Sequence, residues 1–259
     1  MSADRRVQIM VRTAVQLHTL RNLEEEIDAL IEWVATTPFE GVQPRAGLTP
    51  EDVPRINRAL EATGLELAGA HVKFDRLVDA YDELLAIHRD IGNTDLVIGS
   101  YDGEAFVEEA GNAEAARRIS ELATRLADDG MQLHYHNHYF EFASLGDGTA
   151  YDAFVDRTDD ALGLEIDTGL AQFGDADPVP LFEHYGDRVS LVHVTDTIPG
   201  SNDTVHHDLG KGIVDLPACF DAALAADVDW LIFEHGRTDD PKASIRDAGA
   251  FMTGLLADR

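Results

Sequence analysis

The chain has 259 residues, a length that fits one large barrel-type domain or two smaller domains. Its hydrophobic content of 44% is enough for a full core, whereas 49 acidic against 20 basic residues give a formal net charge of −29. This charge disfavours binding to nucleic-acid phosphates, although molar salt would screen the repulsion within a few ångströms. The charge and the scarcity of lysine indicate a surface adapted to high salt.

The chain begins without an apolar signal region, and no apolar run approaches the roughly 18 residues that a membrane span needs. We therefore expect a halophilic, cytoplasmic protein that binds neither membranes nor nucleic acid. The single cysteine, Cys219, cannot form an intrachain disulfide. It lies in the apolar helical pattern PACFDAAL, which favours a core residue over a nucleophile.

Apolar runs along the chain predict eight buried strands. They are 13–17, 39–42, 65–70, 96–98, 131–135, 162–166, 189–192 and 230–233. Helical periodicity separates them, at 23–34, 50–62, 76–91, 105–127, 151–157, 178–185, 216–226 and 241–256. Eight strands alternating with helices predict an α/β protein with a (β/α)8 TIM barrel. Because no Pro/Ser-rich linker interrupts the pattern, we expect a single domain over 1–259.

Several predicted helices carry capping residues at their ends. Thr49 precedes a proline and two acids, and Asp177 and Asp240 each precede a proline, so all three are expected at N-caps. Gly64 and Gly130 each follow a helix and precede a strand, as a C′ glycine does. The connection after the seventh strand, 197–214, is long and polar, which is typical of a functional loop.

Four predicted strands end abruptly in carboxylates or imidazoles. Their sequences are LHYHNHYFEF (133–142), LGLEIDTG (162–169), VSLVHVTD (189–196) and WLIFEHG (230–236). The carboxyl ends of barrel strands open into one site, so these side chains are expected to meet there. A single such residue is as often a cap or a hydrogen-bonded core residue. Four at successive strand ends favour a divalent cation such as Mn²⁺, Mg²⁺, Co²⁺ or Zn²⁺.

The order of these motifs resembles the sugar phosphate isomerase/epimerase family with the xylose isomerase-like TIM barrel. That group also contains endonuclease IV (AP endonuclease 2 type), inosose dehydratase and hydroxypyruvate isomerase. The resemblance covers nearly the whole chain. Besides the four strand ends it includes VQLHTLR (15–21), FEGVQ (39–43), GAHV (69–72) and LGKGIVD (209–215), in the family's order.

The resemblance implies one divalent metal ion, held by Glu, Asp, His and Glu from the fifth to the eighth strand. By position, Asp167, His193 and Glu234 match the last three of these ligands. For the fifth strand two candidates stay open. In many relatives a glutamate ends the strand where His136 stands, whereas the HNHxxEF pattern offers Glu141 just beyond. We favour Glu141 as the ligand, with His136 beside it.

The resemblance also implies a divalent-metal-dependent isomerase or epimerase of a free or phosphorylated sugar or a polyol. Such enzymes abstract a proton next to a carbonyl and pass through a metal-stabilised enediolate. The family commonly uses two glutamates as ligands and acid/base groups, which assigns Glu141 and Glu234 here. His136 and His138 are alternative proton shuttles. His134 lies deeper in the same strand, and we interpret it as structural.

Further side chains on the predicted catalytic face are candidates for substrate binding. The chain has only three lysines, and two of them, Lys73 and Lys211, follow predicted strands on this face. They are candidate contacts for an anionic or polyhydroxy substrate. Five more candidates, also near strand ends, are His18, Arg21, His71, His138 and Arg237.

The sequence departs from the family pattern at two positions. Asp196 resembles the aspartate of an HxKD motif, but Thr195 replaces its lysine, and Gln43 stands where many relatives carry a glutamate. These departures leave open the substrate and the second acid/base group. We expect a small-molecule sugar or polyol substrate, and the resemblance is compatible with a homo-oligomer.

Three alternative functions remain at this stage. A lyase or dehydratase of the inosose or 3-oxo-glycoside type would use the same site, since it differs in where the leaving group sits. An AP endonuclease would need three zinc ions and a basic rim; His71, His206 and His207 are available, but the net charge argues against DNA binding. A barrel that binds metal or sugar without catalysis is the third.

Overall fold

Alternating apolar runs and amphipathic segments fold into strands and helices that succeed one another from residue 11 onwards. The computed structural model describes residues 11–259. Its strands are β1 (Arg12–Gln16), β2 (Gly41–Gln43), β3 (Glu66–Leu67), β4 (Ala70–Val72), β5 (Asp95–Ile98), β6 (Gln132–His136), β7 (Ser144–Leu145), β8 (Gly148–Thr149), β9 (Leu162–Asp167), β10 (Val189–Val194) and β11 (Trp230–Phe233).

Nine of these strands form one parallel sheet in the order β3-β2-β1-β11-β10-β9-β6-β5-β4. The two ends of this order, β3 and β4, are separated in sequence only by Ala68 and Gly69, so the sheet curls into a nearly closed barrel. The small strands β7 and β8 pair as a separate antiparallel hairpin. The predicted (β/α)8 TIM barrel is confirmed.

Helices surround the barrel between successive strands. They are α1 (Ile27–Val34), α2 (Val53–Thr63), α3 (Phe74–Asp79), α4 (Tyr81–Asp90), α5 (Glu109–Asp128), α6 (Ala150–Val155), α7 (Thr168–Phe173), α8 (Pro178–Tyr185), α9 (Leu216–Ala225) and α10 (Pro241–Ala257). Among the residues that the structure describes, no helix is long and apolar enough to cross a membrane.

Two of the three predicted N-caps are confirmed, and one is wrong. Asp177 and Asp240 accept backbone hydrogen bonds from Val179 and Ala243 in the first turns of α8 and α10. At α2 the prediction was wrong, because the helix begins after Asp52 and not after Thr49. The Asp52 carboxylate instead accepts the backbone N–H and the hydroxyl of Thr49, which holds 49–52 in a turn before the helix.

Three other elements differ from the sequence prediction. The third strand is interrupted, since Gly69 has a positive φ of 75° and separates β3 from β4. The predicted helix 76–91 is two helices, broken at Ala80, whose ψ of 38° departs from helical geometry. The helix α7, which begins immediately after Asp167, was not predicted.

The core has two parts on the two faces of the barrel wall. The larger part lies between strands and helices and includes Cys219, which is 3% exposed and was predicted to be a core residue. A smaller cluster fills the barrel interior with Ala14, Ala68, Val97, Leu191, Trp230 and Ile232. This cluster fills the barrel interior on the side of the strands' amino ends. The polar side chains of the interior are therefore accessible only from the carboxyl ends of the strands.

Candidate metal centre and substrate cavity

Strand alternation turns one set of polar side chains into the barrel interior at its carboxyl end. His136 and Asp167 end β6 and β9, His193 is the next-to-last residue of β10, and Glu234 directly follows β11. Ligand atoms of these four residues all lie within 4.8 Å of one another. Nδ1 of His193 is 3.0 Å from Oε2 of Glu234 and 3.8 Å from Oδ2 of Asp167. We call these four residues the upper cluster.

A second layer of polar side chains lies beneath the upper cluster and centres on Glu165. This residue is two positions before Asp167 in β9, so both side chains point inward. Its Oε1 lies 2.8 Å from Nε2 of His71, 3.0 Å from Nδ1 of His136 and 3.1 Å from Nε2 of His193. Glu165 therefore contacts both imidazoles of the upper cluster.

Two glutamines extend this second layer across the barrel to β1 and β2. Nε2 of Gln43 donates to Oε2 of Glu165 at 2.6 Å, and Oε1 of Gln43 lies 2.8 Å from Nε2 of His193. Nε2 of Gln16 donates to Oε1 of Gln43 at 2.6 Å. All of these side chains except His71 are fully or almost fully buried. The network thus fixes the imidazole orientations from below.

Two carboxylates of this interior, those of Glu165 and Glu234, are held in their ionised form by neighbouring imidazoles. Burial alone would raise the pKa of Glu165, but His193 and His71, with the hydrogen bond to His136, hold it well below its usual range. The pKa of Glu234 is likewise well below its usual range, because His193 outweighs the effect of burial. For His193, burial lowers the pKa, but Glu165 and Glu234 raise it above its ordinary value. The site therefore concentrates negative charge that a cation would offset.

The residues of the upper cluster suit a divalent cation. Oδ1 of Asp167 accepts hydrogen bonds from the Leu170 amide at 2.7 Å and from the Thr195 hydroxyl. Oδ2 of Asp167 is buried and has no hydrogen-bond partner among the described residues. Burying a carboxylate oxygen without a partner is costly, which favours a ligand there. Two carboxylates and two imidazoles are a suitable donor set for Zn²⁺, Mn²⁺ or Co²⁺.

Glu141 lies apart from both layers. It belongs to a short 3-10 helix after β6, and it is completely buried. Its Oε1 accepts the Tyr135 hydroxyl at 2.8 Å, and its Oε2 accepts the His138 amide at 2.9 Å. Tyr135 points to the helix side of β6, opposite His136, so Glu141 is bonded on the outer side of the barrel wall. The structure does not bring Glu141 into the group of possible metal ligands.

A cavity of about 720 Å³ opens above the upper cluster. Six of the seven predicted substrate-binding residues line it, together with His136 and Glu234. The six are His18, Arg21, His71, Lys73, His138 and Arg237. The seventh, Lys211, is not among the lining residues; it is exposed and pairs with Asp208 at 2.9 Å. Nδ1 of His138 is buried without a hydrogen-bond partner in the described part of the chain.

The long loop after β10 is held by Asp196. Its carboxylate accepts the backbone N–H groups of Thr197, Gly210, Gly212 and Val214 at 2.9 to 3.2 Å. A Cβ at Gly212 would lie 2.1 Å from Oδ1 of Asp196, so only glycine allows this approach. The LGKGIVD motif (209–215) therefore supplies backbone amides that anchor this loop to Asp196. The same loop contributes Val205 and His206 to the lining of the cavity.

Several site residues were not identified from the sequence. Glu165 was overlooked although it shares the inward face of β9 with Asp167, a period-2 signal that was available. Arg45 follows β2 and lines the cavity; His206, which the sequence suggested only for the endonuclease alternative, reaches the cavity from the loop after β10. The contact of Gln16 with Gln43 joins neighbouring strands, so no local pattern could have revealed it.

Comparison with known proteins places the chain among similar barrels. Residues 31–255 match the family model described as xylose isomerase-like TIM barrel. The chain is 30% identical over 174 residues to the rhizopine catabolism protein MocC of Rhizobium meliloti, covering 58% of this chain and 51% of that protein. It is 28% identical over 149 residues to inosose dehydratase of Lacticaseibacillus casei, covering 50% and 48%. It thus spans about half the length of these curated relatives.

The fold is similar to that of solved structures over almost the entire chain. A sugar phosphate isomerase/epimerase from Parabacteroides distasonis ATCC 8503 superposes with a TM-score of 0.77 at 17% identity, covering 95% of this chain and 94% of that one. The predicted family resemblance is confirmed by the match of the family model. From its sequence and its fold, the chain belongs to the xylose isomerase-like TIM barrel family.

Proposed function

We propose that this protein is a divalent-metal-dependent isomerase or epimerase of a sugar, a sugar phosphate or a polyol. The observation that carries the proposal is the convergence of His136, Asp167, His193 and Glu234 within 4.8 Å. They meet at the base of a cavity of about 720 Å³, which suits a small ligand. Relatives and structural neighbours named as a dehydratase and as an isomerase/epimerase support an enzyme of this group.

The upper cluster would hold the metal ion, with His136 rather than Glu141 as the ligand from β6. Both oxygens of Glu141 already accept hydrogen bonds from Tyr135 and His138, whereas Oδ2 of Asp167 faces His193 without a hydrogen-bond partner among residues 11–259. A divalent ion held there would offset the negative charge that develops on the substrate oxygens.

The protein's own side chains would then bind the substrate and move the proton. Glu234 is ionised and lines the cavity, so it is the group we assign to accept a proton from the carbon next to the carbonyl. His138 offers its unpartnered Nδ1 to a substrate oxygen. Glu234 follows β11 and His138 follows β6, and β10 and β9 lie between these two strands. The two side chains would therefore contact the substrate from different sides.

Dehydration is the second candidate, and the curated relatives favour it. Five of the six most similar curated proteins are named inosose dehydratase, at 23% to 28% identity. Dehydration begins with the same proton abstraction, and the electron pair of the broken C–H bond then expels a hydroxyl from the next carbon as water. The same residues serve both reactions.

The test is solvent exchange at the reacting carbon. The protein loaded with Mn²⁺, Co²⁺, Mg²⁺ or Zn²⁺ is incubated in D2O with ketoses and with inosose, and NMR follows deuterium uptake and product formation. We expect deuterium at the carbon next to the carbonyl, with an isomer, an epimer or a dehydrated product. Chelator-treated protein and Asp167→Asn are the controls, and both should lose exchange. Sugar binding to the loaded protein without any exchange would contradict an enzymatic role.

A further inference from the structure

The cations of this acidic chain are distributed unevenly over the molecule. The cavity is lined by Arg21, Arg45, Lys73 and Arg237 and by several imidazoles. Of its lining residues within 11–259, Glu234 alone carries a carboxylate, and that carboxylate belongs to the upper cluster. In a chain with 49 acidic against 20 basic residues, the cavity lining therefore carries an excess of positive charge.

The ion pairs show that this charge is available to a ligand. None of the four cavity cations has a carboxylate oxygen within 4.0 Å among the residues that the structure describes. Most other described cations are paired with carboxylates, namely Arg12, Arg55, Arg58, Arg76, Arg89, Arg117, Lys211, Lys242 and Arg259.

The backbone holds one of the four cations in place without neutralising it. Arg21 donates from Nη1 to the His18 carbonyl at 3.0 Å and from Nη2 to the Gly236 carbonyl. Both acceptors are neutral carbonyl oxygens, so the guanidinium keeps its full charge while its position is fixed. Its remaining donors, with Arg237 beside Gly236, are left for other partners.

The cations and the upper cluster occupy adjoining arcs of the barrel mouth, which meet at β11. Lys73, Arg45, Arg21 and Arg237 follow β4, β2, β1 and β11, which together with the short β3 between β4 and β2 are consecutive around the nearly closed barrel. The upper cluster comes from β6, β9, β10 and β11, a consecutive set on the other side of β11. A substrate with its reacting carbons at the upper cluster would thus extend its other end towards the cationic arc.

We infer that the substrate is an anion: a sugar or polyol derivative with a carboxylate or phosphate group at the end remote from the reacting carbons. This inference rests on the function proposed above and narrows its substrate class. Guanidinium and ammonium groups bind carboxylate and phosphate through charge-assisted hydrogen bonds. A net charge of −29 would repel an anion at long range, and a local positive cavity reverses that field where the substrate binds.

The experiment compares three ketoses that differ only at the terminal carbon: D-fructose, D-fructuronate and D-fructose 6-phosphate. Binding to the metal-loaded protein is measured by calorimetry at one fixed ionic strength. We expect at least one of the two anions to bind tenfold or more tightly than D-fructose. Tight binding of the carboxylate alone identifies a sugar acid, and tight binding of the phosphate alone identifies a sugar phosphate.

Two double variants make the comparison specific. Arg45→Gln/Lys73→Gln removes two cations of the arc, and we expect the anion-to-neutral affinity ratio to fall to about two. Arg89→Gln/Arg117→Gln removes two cations from α4 and α5 on the outside of the barrel and should keep the ratio. A ratio near one in the unmodified protein, a ratio that survives in the first variant, or no measurable binding of either anion would overturn the inference.

The outcomes also separate this inference from the proposed function. Deuterium exchange on neutral ketoses without any preference for anions would overturn the anionic substrate and leave the enzymatic proposal standing. Failure to take up metal would overturn the enzymatic proposal, whatever the preference for anions.

Discussion

Oε1 of Glu165 lies 3.1 Å from Nε2 of His193, and this contact joins the two layers of polar side chains inside the barrel. The same oxygen lies 3.0 Å from Nδ1 of His136. One buried carboxylate therefore orients both imidazoles of the upper cluster. Carboxylates behind metal-binding histidines fix the tautomer and make the ring a better ligand.

Replacing Glu165 by glutamine should weaken metal binding without unfolding the barrel. Glutamine has the same shape, but it lacks the charge that holds the imidazoles, and its amide group would face the donor Nε2 of Gln43. We expect a 10- to 100-fold lower affinity for the divalent ion, measured by competition with a coloured chelator. Circular dichroism verifies that the fold is kept. Unchanged affinity in a folded variant would show that Glu165 does not support the metal site.

The ligand from β6 can be identified by comparing two variants. His136→Ala should abolish stoichiometric metal binding, because it removes one of the four groups of the upper cluster. Glu141→Gln should keep the metal, because this carboxylate bonds Tyr135 and His138 on the other side of β6. Metal content after desalting measures both. Loss of metal in Glu141→Gln, with retention in His136→Ala, would support the original sequence prediction instead.

Asp196 should control the order of the loop after β10. Asp196→Ala leaves four backbone N–H groups without their acceptor, and we expect about 2–4 kcal/mol of lost stability. Hydrogen exchange at Gly210 and Gly212 should accelerate at least tenfold. Asp196→Asn keeps one acceptor oxygen and should give an intermediate effect. Equal protection of these amides in all three proteins would contradict the anchoring role.

His88 should make stability depend on pH through a buried group outside the upper cluster. It is 1% exposed, and burial lowers its pKa to about 4. The unfolded chain binds a proton near the ordinary pKa of about 6.5, so it gains protons before the folded protein does. The stability that neutral His88 contributes is therefore present above pH 6.5 and lost as the pH falls towards 4.

The measurement is denaturant unfolding at pH 7 and pH 5, for the original protein and for His88→Asn. Asparagine has no titratable group and retains an acceptor for Asn93, which lies 3.2 Å from Nδ1 of His88. We expect the original protein to lose roughly 2 kcal/mol more than the variant between these pH values. The same loss in both proteins would assign the pH dependence to other groups.

The barrel could be predicted from the sequence because its signals are local. Each strand is a short apolar run, and capping residues such as Asp177 mark the helix starts within a few positions. The break of the third strand at Gly69 was missed, because an apolar run does not show where the ladder is interrupted. The helix α7 was missed because Asp167 is both a strand-end carboxylate and an N-cap, which accepts the Leu170 amide.

Within the site, strand ends were easier to identify than side-chain directions. Asp167, His193 and Glu234 lie within one residue of a strand end, so their meeting could be predicted. Glu141 and His136 are separated by a turn whose geometry decides which side of β6 each faces, and the sequence left both open. The cationic lining of the cavity was only partly predicted. Arg45 lies in a loop, and the sequence does not show that this loop faces the cavity.

The metal content of the purified protein tests the central claim most directly. The original protein and an Asp167→Ala/His193→Ala variant are reconstituted, desalted in high salt and analysed for elements. We predict about one Mn, Co, Mg or Zn ion per chain, lost in the variant, with circular dichroism unchanged. Absence of stoichiometric metal in the original protein after reconstitution, or equal content in a folded variant, would contradict a metal centre built from His136, Asp167, His193 and Glu234.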